Sequence, residues 1–429
     1  MPVQSLSVGP FSGLDNVHNA DERTFQLPGE LEKRLPALVT ATDVDLDDDG
    51  WPIARQPQAS VSVLTSGLGG FSGAGLLLVQ EAGTVSSVNT STGAKTALIS
   101  GLDATDRVRF HEFDGQVWWC NREYCGRITS AGVATNWGMA VPPTPTLGTT
   151  AGDLPSGIYQ VAATYIDANG VESAAGKAAS VTLDGTKDIT ATFTVNDPYA
   201  VSVRFYVATL DSKGQGGLFW AKTVAVDALP ATITDVSSLY PLKTHLMRGP
   251  VPGRGIASYK GLLMTWRDQW IYPSSGISFH LFNTGKEAFY FPADVQAVAE
   301  CDTGIWVATE QGMFYLQGDN LKTMIRIKVD EEVYARGSLV LDGYKIPRLQ
   351  TSGRVALFVN SGGLVVGMPG GQLVPLTRDR LTVGSVLTKW ADIVYVERGE
   401  LKQVLFALST APTEGASYYT VTNPVPTFE

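Results

Sequence analysis

The densest group of side chains able to do chemistry is the acidic run Asp43, Asp45, Asp47, Asp48 and Asp49, closed by Gly50. Alternate carboxylates at 45, 47 and 49 ahead of a glycine match the first half of a calcium loop, where they converge on one ion. The match ends there. Ile53 falls at the ninth loop position, and Gln56 stands where the bidentate glutamate belongs. The same run also reads as a hairpin, with Val39 to Leu46 and Trp51 to Arg55 as its arms and an Asp-Asp-Gly turn that supplies positive φ. Carboxylates this dense are costly to bury unpaired, so Asp43, Asp45, Asp47, Asp48 and Asp49 are expected to line a channel or an interface, facing water or basic partners.

Other candidate chemistry is weaker. His18, His111, His245 and His280 are scattered and never paired at ligand spacing, and no Gly-x-Ser-x-Gly elbow occurs. Cys120 and Cys125 have no companion pair, which argues against zinc and for free thiols in a reducing compartment. Gly67 to Gly75 has the glycine content of a dinucleotide loop, but Leu76 to Val79 follows as a strand and not as a helix. Gly362-Gly363 and Gly370-Gly371 lack the Lys-Ser or Lys-Thr of a phosphate loop. Asp302, Glu310, Glu331 and Glu332 are available as glycosidase carboxylates, which need only face each other across a cleft. Trp118, Trp119, Trp266, Trp270 and Trp306 fall at similar places in recurring segments. They suit either sugar stacking or packing between repeats, and packing is the expected use. No metal, cofactor or catalytic residue is expected, and the chain reads as a non-enzyme.

The elements that must carry these residues are strands. Short apolar or alternating runs bounded by Gly, Asp, Asn and Pro occur throughout, and only Gly29 to Leu38 has a faint helical period, cut by Pro28 and Pro36. One unit recurs, an alternating strand, a tight polar turn, an apolar strand, a second turn and a third strand. It starts at Val108, Ile256, Ala297 and Val355, with looser copies at Ile393 and Leu76. Copies two and three are about 40 residues apart, and copies one and two become so once about 108 residues are set aside as an insertion. The fold predicted is all-β, a β-propeller-like body of about five to seven blades. Inserted in it is a sandwich of the immunoglobulin or fibronectin type III kind, flanked by the proline hinges Val141 to Thr146 and Arg248 to Gly253. The expected division is an N-terminal arm and hairpin at 1–60, a first part of the propeller at 61–141, the insert at 142–249, and the rest of the propeller at 250–429.

Composition narrows the function. Of 429 residues, 44% are hydrophobic, enough for a sizeable core and too many for wholesale disorder. Lys and Arg total 32 against 42 Asp and Glu, a net charge of −10. That excess disfavours a sequence-reading DNA binder, yet suits a conduit through which DNA passes without sticking. No apolar run is long enough for a membrane helix, and the first thirty residues lack the basic and apolar regions of a secretory signal.

Several segments carry a family resemblance. Gly9-Pro-Phe-Ser-Gly-Leu-Asp-Asn resembles the N-terminal motif of the tail nozzle, or tail hub, proteins of short-tailed bacteriophages, also called tail tubular or packaged-DNA stabilisation proteins. Leu38 to Gly50 is similar to that family's acidic hairpin, with Arg55 in the basic place; Gln56-Pro57 stands where a second arginine and a glycine usually follow. Gly157 to Ser173 resembles the family's inserted domain, and Phe289 to Pro292 with Gly304 to Asn320 resembles a propeller blade.

The resemblance implies a structural virion protein of the phage tail. Such proteins form homo-oligomeric rings, typically hexamers, below the portal and adaptor. They extend the DNA channel, retain packaged DNA until ejection, and anchor fibres or spikes. Double-stranded DNA passes without sequence-specific binding, and no membrane insertion is implied. The protein would reside in the virion tail, and in the host cytoplasm during assembly. Two other classes remain, a carbohydrate-binding receptor-recognition module and a polysaccharide-degrading enzyme.

Overall fold

The structure is a computed structural model. It describes residue 64 and residues 66–409 with breaks at 212, 277, 347–348, 350, 378–380, 388 and 399–400, plus strands at 24–26, 34–36, 44–46, 52–54 and 417–422. Among the described residues the regular structure is strand, with three short 3₁₀ turns and no α-helix. The faint helical period around residue 34 is not used: Arg34–Pro36 is extended and pairs with Thr24–Gln26. Val44–Leu46 pairs antiparallel with Pro52–Ala54, the hairpin reading of the acidic run. Gly67–Gly73 is itself a strand paired with Leu76–Glu81, which leaves no phosphate loop there.

Six antiparallel sheets follow one another along the body, each pairing in chain order. The first holds Gly67–Gly73, Leu76–Glu81, Thr84–Val88 and Lys95–Ile99. The second holds Arg109–Phe113, Gln116–Cys120, Cys125–Ile128 and Ala134–Asn136. The third holds Gly255–Tyr259, Leu262–Arg267, Trp270–Pro273 and Phe289–Tyr290. The fourth holds Val295–Cys301, Gly304–Thr309, Gly312–Gln317 and Ile325–Asp330. The fifth holds Leu339–Asp342, Arg354–Asn360, Gly363–Gly367 and Leu373–Pro375, and the sixth Trp390–Arg398, Leu401–Ser409 and Ser417–Thr422. The recurring segments at 76, 108, 256, 297, 355 and 393 each fall within one of these sheets, but those at 76 and 355 begin on its second strand, and Gly67–Gly73 and Leu339–Asp342 lie ahead of them.

Strand periodicity explains how the sheets stack. Side chains alternate across a strand, so a strand buried on both faces must feed two different cores. In Arg354–Asn360, Val355, Leu357 and Val359 join a core with Val404, Phe406 and Leu408 of the sixth sheet. Ala356 and Phe358 from the same strand join Trp306 and Tyr315 of the fourth. In Gly304–Thr309, Ile305 and Val307 face Met264 and Trp266 of the third sheet, while Trp306 and Ala308 face the fifth. Trp119 faces Leu78 of the first sheet and Trp118 faces Leu263 of the third. Each interior sheet is thus covered by its predecessor and its successor. Within a sheet burial falls outward: Val295–Cys301 is buried throughout, whereas Ile325–Asp330 is mostly exposed. The first strands of the first four sheets lie side by side, and in the fifth sheet the second strand, Arg354–Asn360, neighbours the first strands of the fourth and sixth.

Tight turns set the register. Asp114 and Gly115 take φ of 52° and 66°, and Lys260 and Gly261 take 47° and 79°, the left-handed pair that a two-residue hairpin needs. Trp118, Trp119, Trp266 and Trp306 are buried in the cores between sheets, whereas Trp270 is exposed and lies beside Tyr290, ring centres 5.1 Å apart and planes tilted by 58°.

Between the second and third sheets the chain builds a sandwich. Thr146–Ala151, Lys187–Thr192 and Ala231–Ile233 form one sheet; Ala179–Leu183, Gly157–Ile166, Ser202–Thr209 and Phe219–Ala225 form the other. They share one core, in which Tyr159, Tyr165 and Phe205 meet Ile189 and Ile233. The immunoglobulin order keeps the first two strands in one sheet. Here Thr146–Ala151 pairs with Lys187–Thr192, and Gly157–Ile166 lies in the facing sheet. Glu172 organises one edge, accepting hydrogen bonds from Thr164 (2.7 Å), Tyr206 (2.6 Å) and Arg204 (2.9 Å). The sandwich meets the body where His280 Nε2 bonds the Glu172 carbonyl at 2.9 Å and Asp197 accepts the Ala140 N–H at 2.5 Å.

Candidate functional site

Residues at or just ahead of the first strands of five sheets are brought together. Arg107 and Arg109 lead into the second sheet, Arg254 into the third, Asp294 and Gln296 into the fourth, Arg336 into the fifth, and Trp390 and Asp392 open the sixth. Arg107 and Arg109 both donate to Asp392 Oδ1, Arg109 at 3.5 Å and Arg107 in a shorter contact. Arg109 also donates to the Arg336 carbonyl at 3.0 Å. Arg336 donates to Gln296 Oε1 at 2.7 Å and lies 3.8 Å from Glu310, and Arg254 lies 3.4 Å from Asp294. Three guanidiniums crowd the Trp390 ring, Arg109 at 4.4 Å from its centre, Arg336 at 5.5 Å and Arg107 at 5.7 Å. Gly69 leaves room for this: a Cβ there would meet the Arg107 guanidinium at 3.0 Å.

The electrostatics follow from like charges held out of water. Burial, then the neighbouring Arg107, lowers Arg109 to about 9. Burial, then Arg254, lowers Arg336 as well. Burial pushes Asp392 upward, but Arg107 and Arg109 together hold it below the usual carboxylate range. Such a cluster can hold an anion or clamp the sixth sheet to the second.

At the opposite end, where the first hairpins turn, lies a cavity of about 480 Å³. Glu112 and Asp114, Lys260, Glu300 and Asp302, and Arg354 line it from four successive sheets. Arg354 bridges Glu300, in a short contact, and Asp302 at 3.4 Å. Burial raises the Glu300 carboxyl against the pull of Arg354.

The structure separates the residues singled out from sequence. Asp43, Asp47, Asp48 and Asp49 lie outside the described residues, and Asp45 is placed only as part of the strand Val44–Leu46. The four glycosidase candidates do not converge. Asp302 lines the hairpin-end cavity, Glu310 sits by Arg336, Glu331 pairs with Lys328 at 3.1 Å, and Glu332 accepts from Asn360 at 2.5 Å. Cys120 and Cys125 are opposed across a hairpin as free thiols, and no metal-holding group occurs among the described residues. His111 is held at about 4 by burial. The arginine cluster went unread in the sequence, although an arginine within three residues ahead of a first strand in three sheets (Arg107, Arg254 and Arg336) was a signal.

No family model matches the chain, and no curated protein matches it. Among solved structures it is similar to the WD40 domain of Neurospora crassa Pan2, at 13% identity and a TM-score of 0.33, covering 82% of this chain and 86% of that one. It is also similar to Kluyveromyces lactis Hsv2p, at 7% identity and a TM-score of 0.28, covering 83% and 97%. Neither is a phage tail nozzle, and at these scores no ligand or partner passes from them to this chain.

Proposed function

We propose that this protein is a structural, non-enzymatic component of a bacteriophage tail, a nozzle or hub subunit whose six sheets form a β-propeller. The observation that carries the reading is the order of parts: two bladed sheets, a separately cored sandwich, then four more sheets. That is the order in which the resembled family arranges its body and insert. The blades supply a stiff wall, because each interior sheet is packed on both faces. The sandwich and the segment at 1–60 reach neighbouring subunits or fibres. Net charge of −10 suits a wall along which DNA phosphates slide without adhering.

The test is light scattering and negative-stain microscopy of the purified chain, with and without a portal–adaptor complex. A ring with a central hole, alone or on that complex, supports the reading. A monomer that ignores those partners overturns it. One observation favours the carbohydrate-binding alternative: Trp270 and Tyr290 are 40% and 49% exposed neighbours with rings tilted 58° to each other, a small exposed aromatic pair of the kind sugars use. Binding on a glycan array that is lost in Trp270→Ala would select it.

A further inference from the structure

We propose that the arginine cluster around Trp390 is a binding site for a phosphate group, with Arg107, Arg109 and Arg336 as its ligands. The cluster is built, not incidental. Its three guanidiniums come from two sheets and stack about the first strand residue of a third, so the geometry exists only in the folded body. Stacking on an indole fixes a guanidinium plane and leaves its in-plane N–H edges to seek acceptors.

The acceptors at hand are few. Asp392 offers the same oxygen to Arg107 and Arg109, Glu310 stays 3.8 Å from Arg336, and the other acceptors, Gln296 Oε1 and the Arg336 carbonyl, carry no charge. Three cations around one ring therefore face two carboxylates, in a chain whose overall charge is −10. Burial, then the neighbouring Arg107, loosens the hold of Arg109 on its own proton against the pull of Asp392, in keeping with that crowding of cations. Arg109 and Arg336 keep 20% and 13% of their side-chain surface in water, so an anion can reach them. A planar fork binds phosphate oxygens two at a time, and forks from different sheets suit a tetrahedral anion better than a flat carboxylate. The phosphate could come free in solution or from a nucleic-acid backbone, and the chemistry of recognition is the same.

The test uses the full chain and inorganic phosphate at constant ionic strength in sodium chloride. Binding is followed by calorimetry, and by protection of arginines from phenylglyoxal with the modified peptides mapped by mass spectrometry. The expected result is saturable binding, protection at 107, 109 and 336, and affinity about tenfold or more weaker in Arg336→Gln. Arg336→Lys should fall between, since it keeps charge and loses the fork. Protection mapping on the unaltered chain keeps the test decisive if a variant does not fold. No saturable binding, protection elsewhere, or equal affinity in Arg336→Gln overturns the proposal. Competition with a short DNA duplex then decides the source: displacement assigns backbone phosphates and no displacement assigns free phosphate, each upholding the site. Ring formation on a portal–adaptor complex is measured separately, so loss of this site and failure of the tail reading are distinguishable.

Discussion

Asp392 Oδ1 accepts hydrogen bonds from both Arg107 and Arg109, which lie 285 and 283 positions earlier in the chain. This one oxygen ties the start of the sixth sheet to the start of the second. Removing it leaves two crowded arginines short of their shared counter-charge. A fully buried pair broken on one side costs about 3–5 kcal/mol. The Asp392 side chain is 43% exposed, so Asp392→Ala is expected to cost less, about 1–3 kcal/mol. Urea unfolding measures it, and a loss below about 0.5 kcal/mol would mean that the contact does not hold the sheets together.

The pH dependence has two separable windows. His111 titrates at about 4 in the fold because burial disfavours its charged form, and its Nε2 has no hydrogen-bond partner among the described residues. In the unfolded chain histidine titrates near 6.5. Between those values the unfolded state binds a proton that the folded state does not, so stability falls as pH drops from about 6.5 toward 4. Asp392 acts lower: its folded value is depressed, so its contribution is present above the usual carboxylate range and is lost as pH falls below it. Unfolding midpoints measured from pH 7 to pH 4 should decline in the parent chain and stay flatter in His111→Gln. An identical decline in both would remove His111 as the cause.

Much of the fold was legible because its signals are local. Asp114-Gly115 and Lys260-Gly261 announce hairpins within two residues, and the nearly unbroken apolar runs Val355 to Val359 and Ile305 to Ala308 mark strands buried on two sides. Trp118, Trp119, Trp266 and Trp306 were readable as core for the same reason, since they recur at second-strand positions, whereas Trp270, on a third strand, is exposed against that expectation. The arginine cluster was not legible because its members are joined by topology and not by spacing. Arg109 and Asp392 become neighbours only once the sheets are packed one on the next. Thr146–Ala151 escaped notice because it is mostly exposed and carries little apolar alternation.

The thiols make a kinetic prediction. Burial raises Cys125 and Cys301 to about 12 and lifts Cys120 well above the usual thiol range, so almost no thiolate exists near neutral pH. Ellman's reagent should leave all three cysteines unmodified in the native protein over an hour and modify them promptly in guanidinium. Fast labelling of Cys120 or Cys301 under native conditions would contradict their burial between sheets. Cys125 is the least enclosed and should react first as the protein is destabilised.

Glycine 255 separates packing from backbone freedom. A Cβ there would overlap the Trp266 ring, which lies flat over the glycine directly across the strand pair. Neither partner has slack: Trp266 is buried against Ala257, Val298 and Ile305, and Gly255 is itself buried in the first strand. Gly255→Ala is therefore an overpacking change and is expected to cost about 1–3 kcal/mol. Gly126→Ala should behave alike, because its Cβ would meet the Trp119 ring at 2.7 Å. Gly285 provides the control, since a Cβ there meets nothing within 4 Å, and Gly285→Ala should stay within about 0.5 kcal/mol of the parent. Guanidinium unfolding of the three variants tests the ordering. If Gly255→Ala matched Gly285→Ala, the indole would have to shift freely, and the tight core between the third and fourth sheets would not be what fixes their register.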